Sequence, residues 1–146
     1  MTVNQRSMAC EPADVFDVLA DGWLYPVWVV GASRMRAVDA SWPATGTAIH
    51  HSVGTWPLLL NDATTMLEWE PARHALLKAR AWPVGEAHVA VDVRRHDNGC
   101  LVRMTEDVIA GPARLVPRFL RDGVVHARNT ETLRRLAYLS EGRAGR

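Results

Sequence analysis

The segment CLVRMTEDVIAGP, residues 100–112, decides the fold, because the spacing of apolar residues changes within it. As far as residue 110, apolar and polar side chains alternate, which is the pattern of a strand with one buried face. Beyond Pro112 the apolar residues recur every three or four positions over about 25 residues, which is typical of a long amphipathic helix. The apolar positions of this predicted helix are Leu115, Phe119, Leu120, Val124, Leu133, Leu136 and Ala137.

Alternation also marks the stretches that precede this segment, and turn residues separate them. The trio Asp-Asn-Gly at residues 97–99 is a strong hairpin signal, because Asn and Gly tolerate the left-handed conformation that tight turns require. Short turns between successive strands predict an antiparallel meander. The segment WPLLLND, residues 56–62, lies between two strands or leads into the second of them. The predicted strands span residues 33–42, 47–54, 64–70, 74–82, 86–96 and 100–110.

The N-terminal part of the chain is predicted to hold a strand followed by two short helices. The strand covers residues 2–9. Pro12 suits the first position of a helix, and Asp14 suits its first turn. Gly22 and Pro26 then limit the next segment to a second, brief helix. The apolar face of the first helix consists of Val15, Phe16, Val18 and Leu19.

The order of these elements predicts an α+β fold, in which a seven-stranded, curved antiparallel sheet wraps around a long C-terminal helix and two short helices follow strand 1. A twisted antiparallel sheet buries one face, and the long helix would cover it. Such a sheet and helix do not always close fully, which leaves room for an apolar pocket between them. No linker or repeat divides the chain, so residues 1–146 are predicted to form a single domain.

Composition and charge limit the classes of function. The chain has 146 residues, of which 48% are hydrophobic and 23% charged, as is ordinary for a soluble globular protein. Its formal net charge of +1 gives no overall field that would attract nucleic acid or an anionic membrane. No apolar stretch approaches the roughly twenty residues of a membrane span, and no signal peptide is visible. We therefore expect a cytoplasmic protein without a nucleic-acid partner or membrane insertion.

The residues that most often bind metals are not arranged for it. Cys10 and Cys100 belong to no CxxC motif, and two reduced thiols fit a cytosolic chain. His50 and His51 are neighbours in a predicted strand, so they point to opposite faces and do not ligate one metal. His51 shares its face with Ile49 and is predicted to point inward. We expect neither a metal nor a cofactor.

Six segments carry a family resemblance: EPADVFDVLAD at 11–21, HHSVGTWPLLLND at 50–62, LEWEP at 67–71, WPVGEAHVAVDV at 82–93, VRMTEDVIAGP at 102–112 and ARNTETLRRL at 127–136. With the order of elements, they resemble the START-like helix-grip superfamily and, within it, the polyketide cyclase/dehydrase (SRPBCC) family. The resemblance covers nearly the whole chain and implies a cavity for an apolar ligand. It does not imply catalysis, because this fold serves carriers, sensors and a few cyclases.

Two further polar residues occupy positions at which apolar ones are expected. Glu106 shares the apolar strand face of Met104, and Asn129 lies four residues before Leu133 on the stripe of the terminal helix. A buried carboxylate is costly unless it is paired or protonated, and His51 is a natural partner for it. Three interpretations stay open: the pair transfers a proton as acid and base, it orients a ligand, or it only holds the sheet in register.

Aromatic and apolar side chains complete the predicted binding site. Trp69 shares the face of Thr65 and Leu67 and is predicted to lie in the interior. Trp56 and Trp82 each precede a proline at a strand end, where an aromatic side chain can line the mouth of a pocket. Ordinary core and rim packing is the alternative for these tryptophans. The predicted ligand-binding residues are Trp69, Val89, Val91, Met104, Asn129, Trp56 and Trp82.

We therefore predict a protein that binds a hydrophobic or aromatic small molecule, lipid-like or polyketide-like, between the sheet and the C-terminal helix. The alternative is a polyketide cyclase or dehydratase-like enzyme that uses Glu106 and His51 as acid and base. A third hypothesis is an interaction module whose cavity is filled by its own side chains. The sequence leaves open whether the protein forms a homodimer.

Overall fold

A computed structural model describes residues 1–54, 57, 59–81 and 85–145, and its frame is one antiparallel sheet. The strands are β1 Thr2–Met8, β2 Ala32–Val38, β3 Ala48–Val53, β4 Leu60–Glu70, β5 His74–Ala81, β6 Gly85–His96 and β7 Gly99–Ala110. Their order in the sheet is β1-β7-β6-β5-β4-β3-β2. Strands β2 to β7 form the predicted meander, and β1 pairs with the outer edge of β7. The predicted α+β class with seven curved strands is confirmed.

The helices of the described residues are α1 Pro12–Ala20, α2 Tyr25–Trp28 and α3 Arg118–Ala144. Short 3-10 helices, Gly22–Leu24 and Pro112–Leu115, precede α2 and α3. Because β1 and β2 lie at opposite edges of the sheet, α1 and α2 carry the chain from one edge to the other. None of the helices in these residues is long and apolar enough to cross a membrane.

Helix α1 forms where the sequence places its start signals. Pro12 occupies the first turn, where its missing N–H costs nothing. The backbone N–H of Glu11 donates to the carboxylate of Asp14 at 2.9 Å. The helix packs against α3, which closes one end of the interior. Its buried residues are Pro12, Val15, Phe16, Val18 and Leu19.

The first half of α3 does not face the core, which corrects the prediction for its apolar positions. The helix begins at Arg118, so Leu115 lies in the preceding 3-10 helix. Leu115, Phe119, Leu120 and Val124 are between 52% and 86% exposed. The reason is that only the C-terminal half of α3 lies on the core, whereas the N-terminal half spans a cavity. The buried residues of α3 are Asn129, Thr132, Leu133, Leu136, Ala137 and Ser140.

A β-bulge in β4 changes which of its residues face the interior. The pairing with β5 shifts after Met66, so Leu67 is an extra residue in the ladder. Ahead of the bulge Thr64 and Met66 are fully buried, which corrects the predicted inward face of Thr65 and Leu67. Beyond the bulge the alternation changes phase, and Trp69 therefore still packs against the core.

The two cysteines, 90 positions apart in the sequence, meet in the core. The Sγ atoms of Cys10 and Cys100 lie 3.9 Å apart, and both are free thiols. Burial raises the pKa of Cys10 to about 12 and also raises the pKa of Cys100. Because the thiolate is the reactive form of cysteine, the raised pKa values keep both thiols unreactive.

Candidate ligand-binding site

A cavity of about 540 Å³ lies between the inner face of the sheet and the N-terminal half of α3. Strands β3, β5, β6 and β7 form one wall, and α2 with the residues that follow it closes one side. The volume is in the range of small-molecule sites in proteins. The apolar part of the lining includes Trp28, Leu77, Val89, Met104, Val108 and Val125.

A second concavity, of about 560 Å³, lies on the surface where α1 and the end of α3 approach the end of β2. It is a shallow groove that is open to solvent. Carboxylates are prominent in its lining, which includes Asp17, Asp21, Asp39, Trp23, Trp42 and Arg143. An apolar ligand would remain in contact with water and charge there, so the more enclosed cavity between the sheet and α3 is the candidate site.

His51 on β3 belongs to a buried chain of three polar side chains beside the cavity. Only 2% of His51 is exposed, as its predicted inward face requires. Its Nε2 lies 2.8 Å from the hydroxyl oxygen of Thr64, which lies 3.0 Å from the hydroxyl oxygen of Tyr25. The Tyr25 ring also stacks on the imidazole, with a centroid distance of 5.1 Å. His50 points to the other face, where its Nε2 lies 3.4 Å from a carboxylate oxygen of Asp39.

Burial determines the protonation states in this chain. Burial, opposed by the Asp62 carboxylate, lowers the pKa of His51 to about 4, so the imidazole is neutral at pH 7. Burial also raises the pKa of Tyr25, although the hydrogen bond with Thr64 opposes the effect. The three side chains therefore present neutral groups to the interior.

Glu106 on β7 lies on the cavity wall, but its partner differs from the predicted one. The carboxylate is 5% exposed, and it accepts a hydrogen bond from the guanidinium of Arg128 on α3. His51 instead bonds to Thr64, because that hydroxyl lies on the neighbouring strand β4. The predicted pairing of Glu106 with His51 is therefore wrong, and Glu106 pairs with Arg128 instead.

The other predicted binding residues divide between the cavity and the core. Val89, Met104 and Asn129 line the cavity. Val91 is fully buried and does not line it, because β6 passes under α1 at that end of the sheet. Trp69 is also absent from the lining, since its ring packs on Phe16 of α1 at a centroid distance of 5.0 Å. Trp56 and Trp82 lie outside the described residues.

Arg128, Tyr25 and Thr64 take part in the site although the sequence did not single them out. A signal for Arg128 was available: it lies three residues after Val125 and four before Thr132, which places it beside the inner stripe of α3. The interior position of Thr64 depends on the bulge at Leu67, for which the sequence gives no comparable sign.

Within the described ranges of the chain, no group of three or more His, Cys, Asp or Glu side chains could hold a metal ion. Two of the three arginines that line the cavity lie beside a carboxylate, and the third is Arg121. Arg80 lies 3.5 Å from the carboxylate of Glu86, and Arg128 bonds to Glu106. The site therefore combines a largely apolar wall with a few polar groups, an arrangement suited to holding a small molecule in one orientation.

Comparison with known proteins identifies the fold. No family model matches the chain, and no curated protein matches it. Among solved structures, a START superfamily protein from Mycobacterium smegmatis is 16% identical with a TM-score of 0.67, and the match covers 99% of this chain and 96% of the other. The structure of Ara h 8.0201 is 10% identical with a TM-score of 0.71, over 94% and 95% of the two chains.

A third solved structure similar to this chain is the di-domain ARO/CYC StfQ from the steffimycin biosynthetic pathway. It is 14% identical with a TM-score of 0.72, and the match covers 99% of this chain and 51% of that one. All three identities are low, so these similarities describe the backbone rather than a shared activity. The protein shares the helix-grip fold of these structures.

Proposed function

We propose that the protein binds a hydrophobic or aromatic small molecule, lipid-like or polyketide-like, in the cavity between the sheet and α3. The observation that carries this proposal is the cavity of about 540 Å³, whose wall is apolar over most of its area. Side chains would ordinarily fill an interior space of this size, because protein interiors are close-packed. An apolar ligand would supply the missing contacts.

The names of similar structures support the same class of ligand. One is a START superfamily protein, and another is the di-domain ARO/CYC StfQ from the steffimycin biosynthetic pathway. The exposed apolar residues at the start of α3 add to this support. Val116, Leu120 and Val124 line the cavity and are also exposed, so they lie where a ligand would pass between solvent and the interior.

Catalysis as a cyclase or dehydratase is our second candidate, and the neutral His51 imidazole on the cavity wall favours it. A neutral imidazole can accept a proton from a ligand. However, its low pKa makes it a weak base, and the carboxylate of Glu106 is already engaged by Arg128. We therefore place ligand binding ahead of catalysis.

The test fills the cavity without changing the fold. Val89 on the cavity wall is replaced with tryptophan, and binding of the neutral dye Nile red is followed by its fluorescence. We expect saturable one-to-one binding to the native protein and at least tenfold weaker binding to Val89→Trp. Val3→Trp on the partly exposed face of β1 is the matched control, because Val3 does not line the cavity.

Far-UV circular dichroism and melting curves of both variants establish that they are folded, since overpacking can itself destabilise a protein. Equal loss of dye binding in Val3→Trp and Val89→Trp would contradict the proposed site. Absence of dye binding to the native protein would favour the third hypothesis, in which the protein fills its own interior.

A further inference from the structure

We propose, on the basis of the proposed function, that the ligand carries one neutral oxygen function, a carbonyl or hydroxyl group. This group is held by a polar cluster that consists of His51, Glu106, Arg128 and Asn129. The apolar remainder of the ligand extends along the wall towards Leu120 at the start of α3. The inference concerns the chemical class of the ligand and excludes those, such as fatty acids, whose head group is a free carboxylate.

Buried polar atoms without hydrogen-bond partners are the first observation. In the part of the chain that the structure describes, five buried side-chain nitrogen or oxygen atoms lack such a partner. Three of them belong to residues that line the cavity: Nδ1 of His51, Nε of Arg128 and Nδ2 of Asn129. Such atoms are rare in native proteins because each loses its bonds to water. Their concentration at one cavity indicates that a bound molecule supplies the missing partner.

The chemistry of these atoms determines what that partner is. Nδ2 of Asn129 and Nε of Arg128 only donate hydrogen bonds, so the ligand atom that they meet must be an acceptor. Nδ1 of His51 donates in one tautomer and accepts in the other. A carbonyl oxygen satisfies the donors, and a hydroxyl group can also donate to the imidazole.

The charges around the cluster select a neutral oxygen. The positive charge of Arg128 is balanced by Glu106, which is 5% exposed. His51 is neutral at pH 7 because burial lowers its pKa to about 4. A carboxylate ligand would therefore lie beside a buried carboxylate with no remaining positive charge in the cluster, which is unfavourable at low dielectric. A neutral oxygen avoids this repulsion.

The members of the cluster lie in one neighbourhood of the wall. Arg128 donates to Asn129 Oδ1 at 3.3 Å as well as to Glu106. Tyr25 links this pair to His51, because its ring stacks on the imidazole. Although burial has the largest effect on the Tyr25 pKa, the charges of Arg128 and Glu106 also influence it, in opposite directions. These contacts place the members of the cluster in one region of the wall.

The experiment compares three probes of nearly equal shape. They are 2-acetylnaphthalene with a neutral carbonyl, 2-ethylnaphthalene without oxygen, and 2-naphthoate with a carboxylate. Each is titrated into the full chain at pH 7.5 and read by displacement of Nile red. We expect 2-acetylnaphthalene to bind about tenfold more tightly than 2-ethylnaphthalene, the ratio that one good hydrogen bond gives. We expect 2-naphthoate to bind most weakly.

A variant tests whether the polar cluster causes the preference for 2-acetylnaphthalene over 2-ethylnaphthalene. Asn129→Leu keeps the size of the side chain and removes its donor, so the carbonyl preference should fall to about twofold or less while 2-ethylnaphthalene binding persists. Asn4→Leu is the control, because Asn4 is also buried but lies outside the cavity lining and donates to His126 and Thr130. This control should retain the native preference. The comparison of the three probes on the native protein needs no variant.

Each outcome supports or overturns a separate statement. Equal binding of 2-acetylnaphthalene and 2-ethylnaphthalene overturns the oxygen anchor, as it would if bound water satisfied the donors, but leaves the proposed hydrophobic binding intact. If 2-naphthoate binds most tightly, the inference that the oxygen group of the ligand is neutral is overturned. This result would favour an anionic ligand held by Arg121 on the cavity wall. Failure of all three probes and of Nile red to bind overturns the proposed function itself.

Discussion

The two halves of α3 differ in what they contact, although they belong to one uninterrupted helix. In the C-terminal half Leu133, Leu136 and Ala137 are almost completely buried in the core. In the N-terminal half Phe119 and Val124 are more than 70% exposed, and the residues that face the sheet border a cavity. One helix thus packs against the core at one end and borders the cavity at the other.

This difference separates the residues that stabilise the fold from those that form the site. The packed half shares a continuous core with α1 and the strands beneath it. The open half makes few core contacts, so its side chains can meet a ligand without loss of the fold. Functional sites often depart from the rule that apolar residues are buried, and the stability is then supplied elsewhere in the molecule.

The largest expected effect compares two leucines of α3. Leu136→Ala should lower the free energy of unfolding by about 3 to 4 kcal/mol, because it leaves a cavity in a packed core. Leu120→Ala should lower it by no more than about 0.5 kcal/mol, because that side chain is already half exposed. Urea denaturation of both variants is the measurement. Similar losses in the two would mean that α3 packs uniformly along its length.

Acid should destabilise the protein through His51. The pKa of its buried imidazole is lowered to about 4 from the ordinary value of 6.5, so the unfolded chain takes up a proton first. This contribution to stability is complete above pH 6.5 and is lost as the pH falls towards 4, by at most about 3 kcal/mol.

The difference in stability between the native protein and His51→Leu separates the contribution of His51 from that of the other titrating groups. Between pH 7 and pH 4 the stability of His51→Leu should fall less than that of the native protein. His50→Leu should follow the native protein, because His50 lies on the outer face beside Asp39. If His50→Leu lost less stability than the native protein and His51→Leu followed the native protein, the register of β3 would be displaced by one residue. Every inward position on β3 would then point outward.

A smaller effect is expected for the ion pair of the cavity wall. Arg128→Met removes the partner of a buried carboxylate and should cost about 2 kcal/mol, less than in a fully enclosed pair because Arg128 is partly exposed. Adding Glu106→Gln should restore most of that loss. The control is Arg134→Met, because Arg134 pairs with Glu131 at the surface, where water screens the attraction, and its stability should stay close to that of the native protein. A double variant no more stable than Arg128→Met would contradict the pairing.

Alternation and helical spacing were sufficient to predict the fold class, the strands and the terminal helix. They were also sufficient to place His51 and Glu106 in the interior, since one buried face determines the phase of a regular strand. The bulge at Leu67 could not be predicted, because an extra residue in a ladder has no simple signature in the alternation. The meeting of Cys10 and Cys100 depends on the pairing of distant segments, which local spacing does not report.

The candidate site was only partly predictable for a related reason. An arginine on an amphipathic helix is usually a surface residue, so Arg128 was not recognised as the partner of Glu106. The exposed residues Leu115 and Phe119 have the spacing of core residues, but Leu115 lies before α3 begins and Phe119 lies in the half of α3 that borders the cavity. Helical periodicity gives a direction for each side chain but not the distance to the facing sheet.

An NMR titration of the native protein with 2-acetylnaphthalene, followed by amide chemical shifts, tests most directly whether the open half of the interior is the binding site. We expect saturable one-to-one shifts at the cavity wall, at Val89, Met104 and Asn129, and little change at Leu136. Shifts confined to the surface groove around Asp21, or equal shifts along the whole of α3, would contradict the account.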